Sequence, residues 1–197
     1  VDDFCALQEI FCQLFAACEH AHEVSRADQW IRVGEAIASR RRLPAVSAFC
    51  RTHYGGILTN AGRWSEADVA LTEAVRLWGL GHRSLRGGAL ARLADLRVRQ
   101  GRFEEAEQLL DGLEGDIDAA RPRAAVYLAR GDTSLAADTL ERALVDLEPL
   151  GTAVAPLLAL LVDVHLAACR FDEADATVCA LEACATRHVS RFLAGSA

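Results

Sequence analysis

The chain contains no lysine, and all 21 of its strongly basic side chains are arginine. Nothing in folding demands this, and it reads as the composition of a GC-rich coding sequence. Proline is held to 4 of 197 residues, and runs of β-branched residues are scarce. What is left is dominated by Ala, Leu, Arg and Glu, a helix-forming mixture that argues against a sheet protein. No apolar run reaches the length of a bilayer crossing. The longest, 153–162, is interrupted at Pro156 and followed by Asp163 and His165, so no membrane span is expected. A run apolar nearly all round suits an interior helix instead.

Chemical motifs are missing too. The 7 cysteines contain no C-x-x-C pair, and their odd number, apolar settings and lack of a secretory signal imply free thiols in a reducing cytoplasm. Cys18, with His20 and His22, and Cys184, with His188, have no second cluster at ligand spacing, so no metal is expected. No nucleophile elbow and no phosphate-binding glycine loop is present; Gly87-Gly88 stands alone before a helix. Arg51, His53 and Tyr54 read as two flank positions and a core tyrosine. Asp163 and His165 are two apart, so on a helix they face apart and form no dyad. Neither an enzyme nor a cofactor is expected. The formal charge of −7 excludes an overall basic nucleic-acid surface; the nearest approach to one is Arg40-Arg41-Arg42. The start at Val1, without methionine, implies a fragment of something longer.

Residues 51–78 organise what is present. Tyr54, Ile57, Leu58 and Ala61 form one stripe of helical spacing, and Trp64, Ala67, Leu71, Ala74, Val75 and Trp78 form a second. Gly62 ends the first helix, and Ser65 with Asp68 offers a cap for the next. The result is a helical hairpin, which cannot bury its apolar face without neighbours. Copies are visible. Gly62, Trp64 and Ala67 are echoed by Gly101, Phe103 and Ala106, and by Cys169, Phe171 and Ala174. Weaker copies are Gly131, Thr133 and Ala136, and His22, Val24 and Ala27. Intervals between turn residues are 40, 39, 30 and 38. Ser25 with Asp28, and Asp172 with Asp175, repeat the cap.

These positions resemble the tetratricopeptide repeat. Gly55, Gly62, Trp64, Ala67 and Ala74 match its pattern of small and aromatic positions. So do Ala94, Gly101, Phe103 and Ala106, and then Ala124, Gly131, Ala136 and Ala143. Arg51 and Leu90 stand where the family has tryptophan, and most intervals exceed the usual length of about 34 residues. The expectation is an all-α, tetratricopeptide-like right-handed superhelix of about five antiparallel hairpins. It would form a single solenoid with hairpins near 2–40, 44–79, 82–114, 117–149 and 152–187, then a cap or tail at 188–197. Pro122 is placed early in its helix, where its missing donor is harmless.

The resemblance implies an inner groove formed by the first helix of each pair. Mapped from the turns, it comprises Thr52, Gly56, Thr59 and Asn60, then Asp95, Val98 and Arg99, then Arg121, Ala125 and Leu128. Glu9, Cys12, Glu19 and His20 precede them, and Ala159 and Asp163 follow. Thr52, Thr59, Asn60, Asp95, Arg99, Arg121 and Asp163 are the candidate partner-binding side chains. Residues 48–75 are also similar to the repeat regions of bacterial, especially actinobacterial, regulators that end in a LuxR-type helix-turn-helix. That similarity implies a non-enzymatic module sensing a protein, peptide or small effector, or contacting other domains of the parent chain. DNA would be bound only by a domain outside these residues. The alternative is a small-molecule receptor using the groove.

Overall fold

A computed structural model describes residues 2–21, 23–145, 147 and 154–188, without the side chains of 2–4, 20, 21, 187 and 188. These residues form ten α-helices and no strand. The chain divides into two compact units, Val1–Gln100 and Gly101–Ala197. The first holds α1 (Asp2–Ala21), α2 (Val24–Arg41), α3 (Pro44–Asn60), α4 (Trp64–Gly79) and α5 (Gly87–Arg99). The second holds α6 (Phe103–Leu110), α7 (Ile117–Ala129), α8 (Thr133–Val145), α9 (Ala155–Ala167) and α10 (Phe171–His188).

A shared backbone device turns the chain. Gly62, Gly101, Gly131 and Cys169 all have positive φ, at 77°, 72°, 81° and 58°. At three of these turns the next residue's N–H closes back on the carbonyl five residues earlier. The bonds are Arg63 to Leu58, Asp132 to Tyr127 and Arg170 to His165, each at 2.9 Å. This is the glycine-terminated helix end, in which a left-handed residue satisfies carbonyls the helix leaves open. Arg42, with φ 54°, repeats it after α2, where Leu43 bonds Ala38 at 2.9 Å. Pro44 then opens α3.

The turns are tighter than the cap serines suggest. Each second helix starts two residues after the left-handed one, at Trp64, Phe103, Thr133 and Phe171. Ser65 is therefore already helical, and the N-cap of α4 is Arg63, which makes no side-chain cap bond. Ser25 is displaced in the same way by a helix that begins at Val24, and Asp172 by one that begins at Phe171. In place of a cap, Arg63 grips Glu66 through two hydrogen bonds of 2.7 and 2.6 Å, and Arg102 grips Glu105 through two of 2.5 Å. The glutamates lie in the first turn, where negative charge meets the positive end of the helix dipole. The freed aspartates tie helices together: Asp68 pairs with Arg97, and Asp28 accepts from Tyr54 at 2.5 Å and from Arg63 at 3.0 Å.

Four further residues depart from what the 82–114 hairpin, the placing of Pro122 and the aromatic positions imply. Leu85 lies in a short 3₁₀ turn, Arg83–Leu85, before α5 and is 44 % exposed. Helix α5 begins only at Gly87. Pro122 is the sixth residue of α7, past the open first turn, so it deprives the Asp118 carbonyl of its usual donor. Trp64 and Phe171 open their helices as equivalents of Phe103, yet they are 39 % and 62 % exposed. The expected turn at His22, the close of the fourth hairpin near Pro149 and Gly151, and the 189–197 tail lie outside the described residues.

The alanine of the repeated signature carries the packing. Ala27, Ala67, Ala106, Ala136 and Ala174 are all at most 3 % exposed. In the first unit, Phe11, Phe15, Cys18, Val46, Cys50 and Ile57 form one core, and Ala48, Ala74, Trp78 and Ala89 a second. In the second unit, Ala124, Ala136, Leu140, Leu157, Leu161 and Val164 pack together, and Leu158 joins Leu181 and Cys184. Gly55 shows how little room the helices leave: a Cβ there would lie 2.5 Å from Leu71 Cγ.

Two substitutions separate these effects in urea unfolding. Gly55→Ala overpacks the crossing at Leu71 and lowers stability by about 1–3 kcal/mol, despite alanine's better helix propensity. Cys169→Gly relieves a left-handed non-glycine residue and raises stability by up to about 1 kcal/mol.

Candidate functional site

Helix α3 is the centre of the first unit, packing on α1, α2, α4 and α5. Eleven of its 17 residues are buried, so it has little open face to offer. Thr52 and Thr59 fall on covered positions, at 7 % and 2 % exposure. Each hydroxyl donates to the carbonyl four residues back, Ala48 and Gly55, both at 2.8 Å. That local bond removes the cost of burying the oxygen. Trp78 Nε1 also donates to Thr52 Oγ1 at 3.2 Å. These two threonines are core residues and line no groove.

Asn60, the last residue of α3, is exposed. It joins three consecutive first helices. Its carbonyl oxygen accepts from Arg99 Nη2 of α5 at 3.0 Å, and its amide nitrogen donates to Glu19 Oε1 of α1 at 3.5 Å. Arg99 Nε also donates to Asp95 Oδ2 at 3.1 Å. An amide suits this place because it presents an acceptor to the cation and a donor to the anion. Glu19 is approached in addition by Arg92 Nη1 at 3.7 Å. A Cβ on Gly56 would lie 2.0 Å from that same Nη1, so the guanidinium rests on α3 where a side chain is missing.

Of the predicted residues, Asn60, Asp95 and Arg99 therefore meet, and Glu19 meets them. Arg92 was not anticipated. The available signal was its place three residues before Asp95 and seven before Arg99, which puts all three on one side of α5. Arg121 of α7 is half-buried and Asp163 of α9 is exposed; both belong to the second unit. Two residues beyond Asp163, His165 turns inward to 4 % exposure, and burial lowers its pKa.

Behind the polar face sits a histidine that sequence placed on a flank. His53 stacks on Phe15 with ring centres 6.3 Å apart and tilts against Phe49 at 4.6 Å. Burial first, and then the positive charge of Arg92, push its pKa down to about 3. Tyr54 is half-buried. Its burial and its hydrogen bond to Asp28 push the phenol up to about 12. Burial works to raise Asp28, but the bonds from Tyr54 and Arg63 hold its carboxyl below the usual range.

No family model matches the chain, and no curated protein matches it. Solved structures do. A protein of Podosopora anserina, described as a kinesin light chain with nearly identical TPR-like repeats, is 17 % identical with a TM-score of 0.52. A variant of the same protein gives 16 % identity and a TM-score of 0.55. Each match covers 92 % of this chain and 94 % of the other. Together with the all-helical architecture, this shows the tetratricopeptide-like repeat fold. No helix among the described residues is long and apolar enough to cross a membrane.

The His53 environment fixes a pH dependence. The native imidazole takes its proton only near pH 3, whereas in the unfolded chain it does so near the ordinary value of about 6.5. Between those values the unfolded state holds more protons, so stability falls as pH drops below about 6.5. From pH 7 to pH 5 the loss from this group is about 2 kcal/mol. His53→Phe removes that part of the slope in urea titrations followed by circular dichroism, while keeping the ring contacts.

Proposed function

We propose that the chain is a non-enzymatic interaction module in which the α1–α3–α5 face of the first unit receives a protein or peptide segment. The observation that carries this reading is the Glu19–Asn60–Arg99–Asp95 relay with Arg92. Polar groups from three successive first helices meet there at the surface, with donors and acceptors of both signs. Such a face recognises hydrogen-bonding groups more than net charge, as an extended polypeptide backbone with polar side chains requires. Arg121 and Asp163 are the corresponding first-helix positions that we assign to recognition in the second unit. The similarity of residues 48–75 to LuxR-type regulators supports a finer reading. In it the module senses a partner or effector and passes the signal, by favouring one helix arrangement, to a DNA-binding domain elsewhere in the parent chain.

A second reading, a small-molecule receptor, uses the same relay with a metabolite in place of the peptide. Thermal denaturation against a metabolite panel separates the two. A compound at 100 times its Kd adds about 2.7 kcal/mol of stability, and such a hit assigns the face to a small effector. Asn60→Ala and Arg99→Ala abolish the response to whichever ligand binds, while changing basal stability by less than about 1 kcal/mol, because the pair is exposed. A ligand response untouched by both variants would remove this face from consideration. The regulator reading is tested by sequencing the coding region on either side; it requires a helix-turn-helix segment downstream.

A further inference from the structure

The two units differ sharply in charge. Residues 1–100 hold thirteen arginines against eleven carboxylates, and residues 101–197 hold eight against seventeen. Within the first unit the positive charge is not evenly spread. Helices α2 to α5 alternate in direction, so the α2–α3 and α4–α5 connections emerge at the same end. Arg40, Arg41 and Arg42 lie at the first connection; His82, Arg83 and Arg86 lie at the second. All six are exposed. Arg42, Arg83 and Arg86 have no side-chain partner among the described residues. The two glutamates nearest this end are already held, Glu35 by Arg51 at 2.9 Å and Glu73 by Arg76 at 2.7 Å. The first eight residues of α3 and of α5 contribute no carboxylate.

Apolar features are interleaved with these cations. Leu80 and Leu85 flank His82 and Arg83 at 67 % and 44 % exposure. Beside Arg42 an open depression of about 290 Å3 is lined by Ala38, Ser39, Leu43, Pro44 and Ser47, together with Glu35. Neighbouring packed helices stand about 8–10 Å apart, and an extended peptide advances about 3.3 Å per residue. A short segment therefore reaches from one arginine cluster to the other.

We propose that this end of the first unit docks an acidic polypeptide segment bearing leucine-like side chains. Carboxylates pair with Arg42, Arg83 and Arg86, and an apolar side chain enters the depression by Pro44. The chemistry favours a polypeptide over the other polyanions. Trp78, behind the second cluster, is 3 % exposed and offers bases no face, and the single exposed imidazole of His82 does not make the row of platforms that successive bases stack on. A concave depression at one turn, with two isolated leucines at the other, suits inserted side chains better than the flat boundary of a bilayer. The surface is separate from the Asn60 relay and does not depend on its role.

Fluorescence anisotropy of the full chain with a fluorescein-labelled peptide of Glu-Glu-Leu repeats tests the assignment. Binding is expected at about 50 mM salt and weakens as salt rises to about 300 mM. The triple variant R42E/R83E/R86E lowers affinity by about tenfold or more with the melting temperature retained. Arg83→Ala alone, an exposed turn change safe for folding, lowers it about threefold. The control R26E/R32E, on exposed positions elsewhere in α2, leaves it unchanged, and a Glu-Glu-Ser peptide binds more weakly. Absence of binding, or equal loss in the control variant, overturns the proposal. So does preference for oligothymidylate or phosphatidylserine vesicles over the peptide.

Discussion

Close approach of paired helices, permitted by a missing or minimal side chain at each crossing, is the constraint on which everything else rests. Five alanines at equivalent places are buried almost completely, and where α3 crosses α4 even alanine is too large, leaving Gly55 against Leu71. An alanine buries little apolar area of its own, so its value lies elsewhere. It lets larger neighbours such as Leu71, Leu110 and Leu140, all at most 2 % exposed, reach across and fill the space at interior density. The left-handed turns serve the same end. They reverse the chain in the fewest residues and close the last carbonyls of the first helix, so the second helix starts already in contact.

This explains what could be read from sequence and what could not. Periodicity reports which residues share a side of one helix, and the turn glycines report where a helix stops. Both are local signals, and the helix ends before Gly62, Gly101 and Gly131 follow from them. Which side of a helix faces solvent depends on how many neighbours surround it. Helix α3 has four, so Thr52 and Thr59, polar by type and placed on an open face by family analogy, are covered. Threonine tolerates this because its hydroxyl bonds within its own helix. His53 tolerates it by remaining neutral. In both cases a polar residue type conceals a position packed against apolar neighbours, and no pattern of spacing distinguishes it.

The cap assignments show a related limit. Serine followed three residues later by an acid reads as a helix start, yet the chain spends the acid elsewhere. Asp28 and Asp68 bind arginines 35 and 29 residues away, and the arginine before the aromatic residue holds the first-turn glutamate. Arginine reaches this role because its planar fork holds a carboxylate through two bonds at once. An ammonium is a point charge and would match those paired contacts poorly. A chain without lysine is therefore not merely a compositional oddity in its consequences. Its inter-helix ion pairs are made by the cation best suited to fixed geometry.

The distribution of those pairs separates two kinds of surface within the first unit. Where helices face each other, arginines are matched: Arg92 with Glu19, Arg97 with Asp68, Arg51 with Glu35. Matching lowers the cost of placing a half-buried charge beside apolar neighbours. At the connecting turns no such cost arises, because Arg42, Arg83 and Arg86 are exposed. The C-terminal end of α2 favours a cation at Arg42, but no ion pair among the described residues calls for the other two. Where a residue type is not required by the fold, its placement beside exposed leucines and a depression is better sought in what approaches from outside.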